Sequence, residues 1–288
     1  MPIRILHVIG ELNRGGAETM IMNLYRSIDR SIIQFDFIIH TTEKCAYSDE
    51  ILGYGRKIYS IPRYRGINHM EYVKAWHKFF HNNTEYRVIH GHMRSTASIY
   101  LNIAKKYRLI TIVHSHNTSS GNGGAAMVKN LMQLPIRNIA DYFLACSEAA
   151  GRWLYGAEAC KRNNFYVLNN AIHADRFIYN KEIRLRKQKE LLLHNNFVIG
   201  TVGRLTKQKN PFFILETFKM LSDQYNNAVL LWVGEGELLE PIIRKSIELE
   251  VSEKILFLGE RSDVNELFQA MDVFIFPSLW EGLGMVVI

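Results

Sequence analysis

Residues 3–28 read IRILHVIGELNRGGAETMIMNLYRSI, and this stretch decides the fold class. An apolar run at 3–9 is followed by a loop with two glycines. Ala17, Met20, Ile21, Leu24, Tyr25 and Ile28 then recur at the spacing of one helical face. Strand, glycine loop and helix form half of a βαβ unit, and the rest of the chain repeats the rhythm. Short apolar runs fall at 35–40, 57–61, 86–92, 109–116, 142–147 and 165–170, with helical patterns such as 70–80 and 96–107 between them. Such alternation implies parallel strands joined by right-handed crossovers. The rhythm breaks after 170 and restarts with runs at 197–203, 228–234, 255–259 and 272–277. The expectation is an α/β protein with two doubly wound, Rossmann-like domains. The first spans 1–175, a basic linker 176–195, and the second 196–288, with only four strands and so incomplete.

Composition bounds the function classes. A hydrophobic content of 48% with 22% charged residues is that of a globular chain. No apolar run reaches the roughly 18 residues a spanning helix needs. The N-terminus carries no cleavage site of small residues, so it reads as a buried strand rather than a signal peptide. Cys45, Cys146 and Cys160 are odd in number and widely spaced, which disfavours a disulfide framework or a zinc site and fits a reducing cytoplasm. The net charge of +7 is partly local, since 181–189 (KEIRLRKQK) holds five cations and one anion. That segment is open to two readings, a solvated helix face or a contact with an anionic membrane surface. No recognised RNA or DNA motif accompanies the charge, so a nucleic-acid binder is disfavoured.

In open parallel sheets, ligands bind at the carboxyl ends of strands, so the residues there are the candidates. Gly15 and Gly16 precede a helix whose free N–H groups favour an anion, although a tight turn with positive φ would also explain two glycines. Neither a dinucleotide fingerprint nor a P-loop is present. After the first strand of the second domain, GRLTKQKNP (203–211) brackets a loop with Arg204 and Lys209, a pair suited to clamping a diphosphate. Asn210 and Pro211 read as N-cap and first helical residue. Gly234, Glu235 and Gly236 form another turn at a strand end, and Asp263 with Glu266 reads as a capping box. His90, His92, His114 and His116 sit at two neighbouring strand ends, each pair on one side of its strand. With no carboxylates beside them, they read as a polar wall for hydroxyl groups rather than a metal site.

Together, GGAE (15–18), HSHN (114–117), CSE (146–148), LNNAI (168–172), VGRLTKQKNP (202–211), VGEGE (233–237), FLGERSDV (257–264) and DVFIFPSLWEGLGMVV (272–287) resemble the family-4 retaining glycosyltransferases of the GT-B fold. Within that family the sequence is similar to bacterial enzymes of exopolysaccharide and capsule synthesis. The resemblance implies an acceptor-binding N-terminal domain, a C-terminal domain for a nucleotide-diphosphate sugar, catalysis in the cleft between them and no required metal or other cofactor. It matches Arg204 and Lys209 to the cations on the donor diphosphate and Gly16 to a glycine approaching that diphosphate. It gives Glu281 and one of His114 and His116 catalytic positions. It places Gly15, Gly234, Glu235, Gly236, Arg261, Gly282, Gly284 and Met285 around the donor. By analogy the donor is UDP-linked. The acceptor would be a glycan or lipid-linked saccharide, and the setting cytoplasmic, with peripheral membrane contact.

Three departures from the family pattern stand out. Ala171 replaces a glycine, His173 replaces an aspartate, and the second glutamate of the family's Glu–seven residues–Glu motif would fall at position 289. The sequence is therefore expected to be a C-terminally truncated enzyme. A helix starting near Gly284 should fray, and transfer should be weak or absent. The leading function is transfer of a hexose or acetamidohexose with retention. The rival is an inactive nucleotide-sugar binding remnant.

Overall fold

A computed structural model describes residues 2–121 and 123–288. It divides into two compact units. One comprises the chain up to Ile172 with Glu281–Val286 and Ile288. The other comprises His173–Trp280 with Val287.

The first unit is a sheet of seven parallel strands: β1 (Ile3–Val8), β2 (Ile33–Ile39), β3 (Ile58–Ser60), β4 (Val88–Gly91), β5 (Ile110–Ser115), β6 (Tyr142–Ala145) and β7 (Phe165–Val167). Their order is β3-β2-β1-β4-β5-β6-β7, so the winding direction reverses between β1 and β4. Alternation decides what each face buries. Leu6, Val8, Ile38, Ile89, Val113 and Phe143 share one apolar core with Trp76, Tyr72 and Tyr100. On the opposite face, Ile9, Phe35, Phe37 and Ile39 pack with Met22 and Tyr25 from the helix Gly16–Ser27. Beyond β1 the carboxyl-end part of that second face carries histidines. His7 pairs in register with His90, and the same parity continues through His92 just past β4, through His114 on β5 and through His116 just past it.

The second unit is a four-stranded parallel sheet of β8 (Phe197–Val202), β9 (Ala228–Val233), β10 (Ile255–Phe257) and β11 (Val273–Phe274), ordered β10-β9-β8-β11. Its reversal point lies between β8 and β11. Ile199, Leu215, Phe218, Leu230 and Trp232 fill its core.

The basic segment is the helix Lys181–Glu190, capped by the Asn180 side chain. It packs on the helix Val264–Ala270 within the second unit. Arg184 reaches Asp272 at 2.5 Å, and Arg186 reaches Glu266 at 2.8 Å. Lys187 is buried, 2.6 Å from Asp263 and 2.8 Å from Glu190. Three of the five cations thus serve intramolecular ion pairs, and Lys181 and Lys189 remain exposed. The capping box read at Asp263 and Glu266 does not form, because Asp263 makes no cap bond and accepts from Arg261 and Lys187 instead. Lys187→Met would remove the buried cation shared by Asp263, Glu190 and Glu266 and leave these partly solvated carboxylates to Arg261 and Arg186. It should lower the stability of this unit by about 1–3 kcal/mol, read as a lower urea midpoint.

Candidate functional site

In the second unit, the loops leaving β8 and β11 meet at the reversal point. A pocket lies there, lined among others by Gly203, Arg204, Lys209, Trp232, Phe276 and Ser278. Thr206 N–H donates to the Arg204 carbonyl at 2.8 Å, and the turn Lys207–Lys209 then carries Lys209 back to the same pocket. Arg204 is exposed and, among the described residues, has no carboxylate partner. The Lys209 ammonium lies 4.7 Å from the Phe276 ring centroid. The Ser278 hydroxyl is buried and has no hydrogen-bond partner. Buried polar atoms are almost always paired, so this orphan marks a place where a ligand or water belongs. Pro211 opens the following helix as its sequence position suggests. Asn210 precedes it in the left-handed conformation (φ 54°), and its side chain makes no cap bond.

The Gly234–Gly236 turn has a backbone explanation. Gly234 has φ 127°, and its N–H donates to Gly259 O at 2.7 Å. A Cβ on Gly234 would strike the Gly203 carbonyl, and one on Gly236 would strike the backbone of Leu205. Leu205 N–H donates to Glu235 O at 2.9 Å, so this turn holds the Arg204 loop in place. Arg261 is not among the residues lining the pocket. Its guanidinium forks onto Asp263 at 2.7 and 2.8 Å, which raises its pKa and lowers that of Asp263. The donor role expected for Arg261 thus competes with an intramolecular pair that already fills the fork.

In the first unit, Gly15 has φ −89° and ψ 169°, and Gly16 is helical. The positive-φ turn is therefore not what these glycines serve. A Cβ on Gly15 would meet the Glu18 carboxylate, which folds over the helix N-terminus, and one on Gly16 would meet only Met285. Glu281, Gly282, Gly284 and Met285 come together here. Thr118 Oγ donates to Glu281 O at 2.7 Å, Ser147 Oγ to Gly282 O at 2.9 Å and Asn170 Nδ2 to Leu283 O at 3.0 Å. The helix expected from Gly284 is a short 3₁₀ turn, Met285–Val287. Three side-chain donors pin the segment before it, Gly284 is buried, and Leu283 and Met285 pack on the two cores, while Val287 and Ile288 are exposed, as expected of the last residues. A Cβ on Gly282 would run into the His116 carbonyl and the Cys146 sulfur. Gly282→Ala should therefore release the segment at a cost of about 1–3 kcal/mol, seen as faster proteolysis near residue 282.

The histidines form one continuous pile. His7 Nδ1 is 2.9 Å from His92 Nε2, and His92 Nδ1 is 2.8 Å from His116 Nε2. The His90 and His114 rings stack at 5.4 Å and 6°. His7, His90 and His114 are buried, while His92 and His116 reach the surface at the strand ends. Burial lowers the His7 pKa to about 3 and that of His116 to about 4, and puts the others well below the usual imidazole value. All five are neutral near pH 7. Sequence reading missed His7, whose only signal was a polar residue inside the apolar run of β1. It also missed Thr118, Ser147, Asn170 and Ser278.

Comparison with known proteins adds to this geometry. The description Glycosyltransferase Family 4 matches residues 14–176, and Glycosyl transferases group 1 matches 182–288. The putative glycosyltransferase EpsF of Bacillus subtilis is 33% identical over 99% of this chain and 76% of its own length. An Escherichia coli UDP-Gal:alpha-D-GlcNAc-diphosphoundecaprenol alpha-1,3-galactosyltransferase is 36% identical over 35% of this chain and 27% of its own. Among solved structures, Anabaena HepE in complex with UDP and glucose superposes with a TM-score of 0.79 at 16% identity, covering 96% of this chain and 74% of that one. Two parallel, doubly wound sheets and these matches lead to one assignment: the chain belongs to glycosyltransferase family 4 and has the GT-B fold.

Proposed function

We propose that this glycosyltransferase moves a hexose or acetamidohexose from a UDP-linked donor to a glycan or lipid-linked acceptor, with retention, in exopolysaccharide or capsule synthesis. The observation that carries the donor half is the convergence of Arg204, Lys209 and the orphan Ser278 hydroxyl at the reversal point of the second sheet. As the bond from the anomeric carbon to the diphosphate oxygen breaks, negative charge grows on the leaving diphosphate. Two preorganised cations stabilise that charge without a metal. The acceptor hydroxyl forms the new bond to the anomeric carbon and gives its proton to the departing diphosphate oxygen. Gly16, Glu281, Gly282, Gly284 and Met285 serve the donor sugar and phosphate in this reading, with His114 or His116 beside them. The UDP and glucose bound by HepE and the UDP-Gal and diphosphoundecaprenol in the galactosyltransferase's name support the substrate classes. A capsular polysaccharide biosynthesis glycosyltransferase of Staphylococcus aureus, CapH, 22% identical over 98% of the chain, supports the setting.

The test is incubation with UDP-hexoses and a lipid-diphosphate-linked saccharide, following UDP release and the product's anomeric configuration. Acceptor-dependent release with an unchanged configuration supports the reading. UDP binding without release favours the nucleotide-sugar binder. Peripheral membrane contact belongs to the same proposal and rests on the exposed Lys181 and Lys189. No helix among the described residues is long and apolar enough to cross a membrane. Binding to anionic vesicles should be weak and vanish with added salt, since screening acts within about 8–10 Å. Equal sedimentation with neutral vesicles would remove these lysines from the account.

A further inference from the structure

We infer that His92, His114 and His116 form a binding site for one divalent transition-metal cation of the Zn²⁺ class in the first unit. The donor reading needs no ion, but it places His114 or His116 beside the donor sugar, so the two readings share those histidines, and direct Zn²⁺ titration tests this one without reference to transfer. One ring nitrogen from each of these residues lies within 4.8 Å of the other two. His92 Nδ1 and His116 Nε2 already face each other at 2.8 Å. A tetrahedral ion bound at about 2.0–2.1 Å separates its nitrogens by roughly 3.4 Å, so this pair opens by about half an ångström. His114 supplies the independent observation. It is 1% exposed, and neither of its ring nitrogens has a partner; nor does His116 Nδ1. Two unpaired nitrogens on one buried imidazole call for an occupant that the protein does not itself provide.

The tautomers agree with this assignment. With His92 Nδ1 on the ion, His92 Nε2 carries the proton and donates to His7 Nδ1 at 2.9 Å. Histidine ligands commonly donate their other N–H in this way, which fixes the ring and raises its basicity. His7 is then a positioning residue, held between the rings of Phe35 and His92. A second triad, His7, His90 and His92, also has its nitrogens within 4.8 Å. It is the poorer site, because it competes for His92 and because His7 and His90 are 1% and 7% exposed. His92 and His116 are partly exposed at the strand ends, which gives an ion a way in. An all-imidazole set suits Zn²⁺, Co²⁺, Ni²⁺ or Cu²⁺ and not Mg²⁺ or Ca²⁺.

The experiment uses the full chain, free of any histidine tag and stripped with EDTA. Titration with Zn²⁺ should show one saturable site and a raised thermal midpoint, and Mg²⁺ should show neither. His114→Gln and His116→Gln should each weaken Zn²⁺ binding at least tenfold, whereas His81→Ala and His194→Ala, at exposed positions, should leave it unchanged. His7→Phe should weaken it less than either ligand variant; the reverse ranking would assign the ion to the second triad and overturn this one. Co²⁺ on the unaltered chain supplies a readout independent of variant folding. Intense visible bands of a tetrahedral ion support the site. A pale, octahedral spectrum, or Zn²⁺ binding removed only by the exposed-histidine variants, would overturn it.

Discussion

Arg204→Ala and Lys209→Ala should each weaken UDP binding by about ten- to a hundredfold, while uridine binds as before. A hydrogen bond to a charged group contributes about 1.5–3 kcal/mol, and about 1.4 kcal/mol is a factor of ten. Both side chains line the pocket at the reversal point, and the backbone there is held by Leu205 N–H to Glu235 O and Leu238 N–H to Leu205 O. Truncating either side chain leaves those bonds intact, so the loss should appear in binding and not in folding. Lys209→Ala also removes the cation over Phe276, which adds to its effect. Titration calorimetry with UDP and uridine on both variants reads the difference. Unchanged UDP affinity in both would take these residues out of donor binding.

Acid should destabilise the first unit progressively as the pH falls below about 6.5, before carboxylates titrate. His7, His90 and His114 are buried and held neutral in the fold, with pKa values below the ordinary 6.5. Their unfolded forms take up protons near pH 6.5 and the folded forms do not. Their stabilising contribution is therefore complete above pH 6.5 and falls as the pH drops towards the folded values, about 3 for His7. Each such residue costs up to about 1.4 kcal/mol per pH unit in that window. His90 and His114, which burial also holds below the usual imidazole value, act in the same direction, and an ordinary stability is only about 5–15 kcal/mol. Urea midpoints measured in EDTA between pH 7 and pH 4.5 should fall steeply, and less steeply in His7→Phe. A flat profile would mean that the imidazoles are not held neutral.

All eleven strands were legible as apolar runs, because strands covered on both faces carry little else. Their ends were less legible. The run 272–277 continues past β11 at Phe274, since Ile275 still donates to Gly200 O and Phe276 lines the pocket. Apolar residues persist there because Ile275 packs on the core and Phe276 lines the pocket. The cationic loop at 204–209 was legible because strand, loop and helix N-terminus are contiguous. The five-histidine pile was only partly so. His7 and His90 are 83 positions apart and meet through a strand register that no local pattern encodes. The same non-locality hid Thr118, Ser147 and Asn170, which hold residues more than 100 positions away. The pairing of Arg261 with Asp263 is local, but Lys187 meets Asp263 from 76 positions away, so the basic run looked freer than it is.

The most direct test of the donor site is calorimetric titration of the unaltered chain with UDP, UDP-glucose and uridine, side by side. One saturable site for UDP and UDP-glucose, with uridine at least tenfold weaker, is the result this account expects. No heat with UDP, or uridine binding as tightly as UDP, would contradict it.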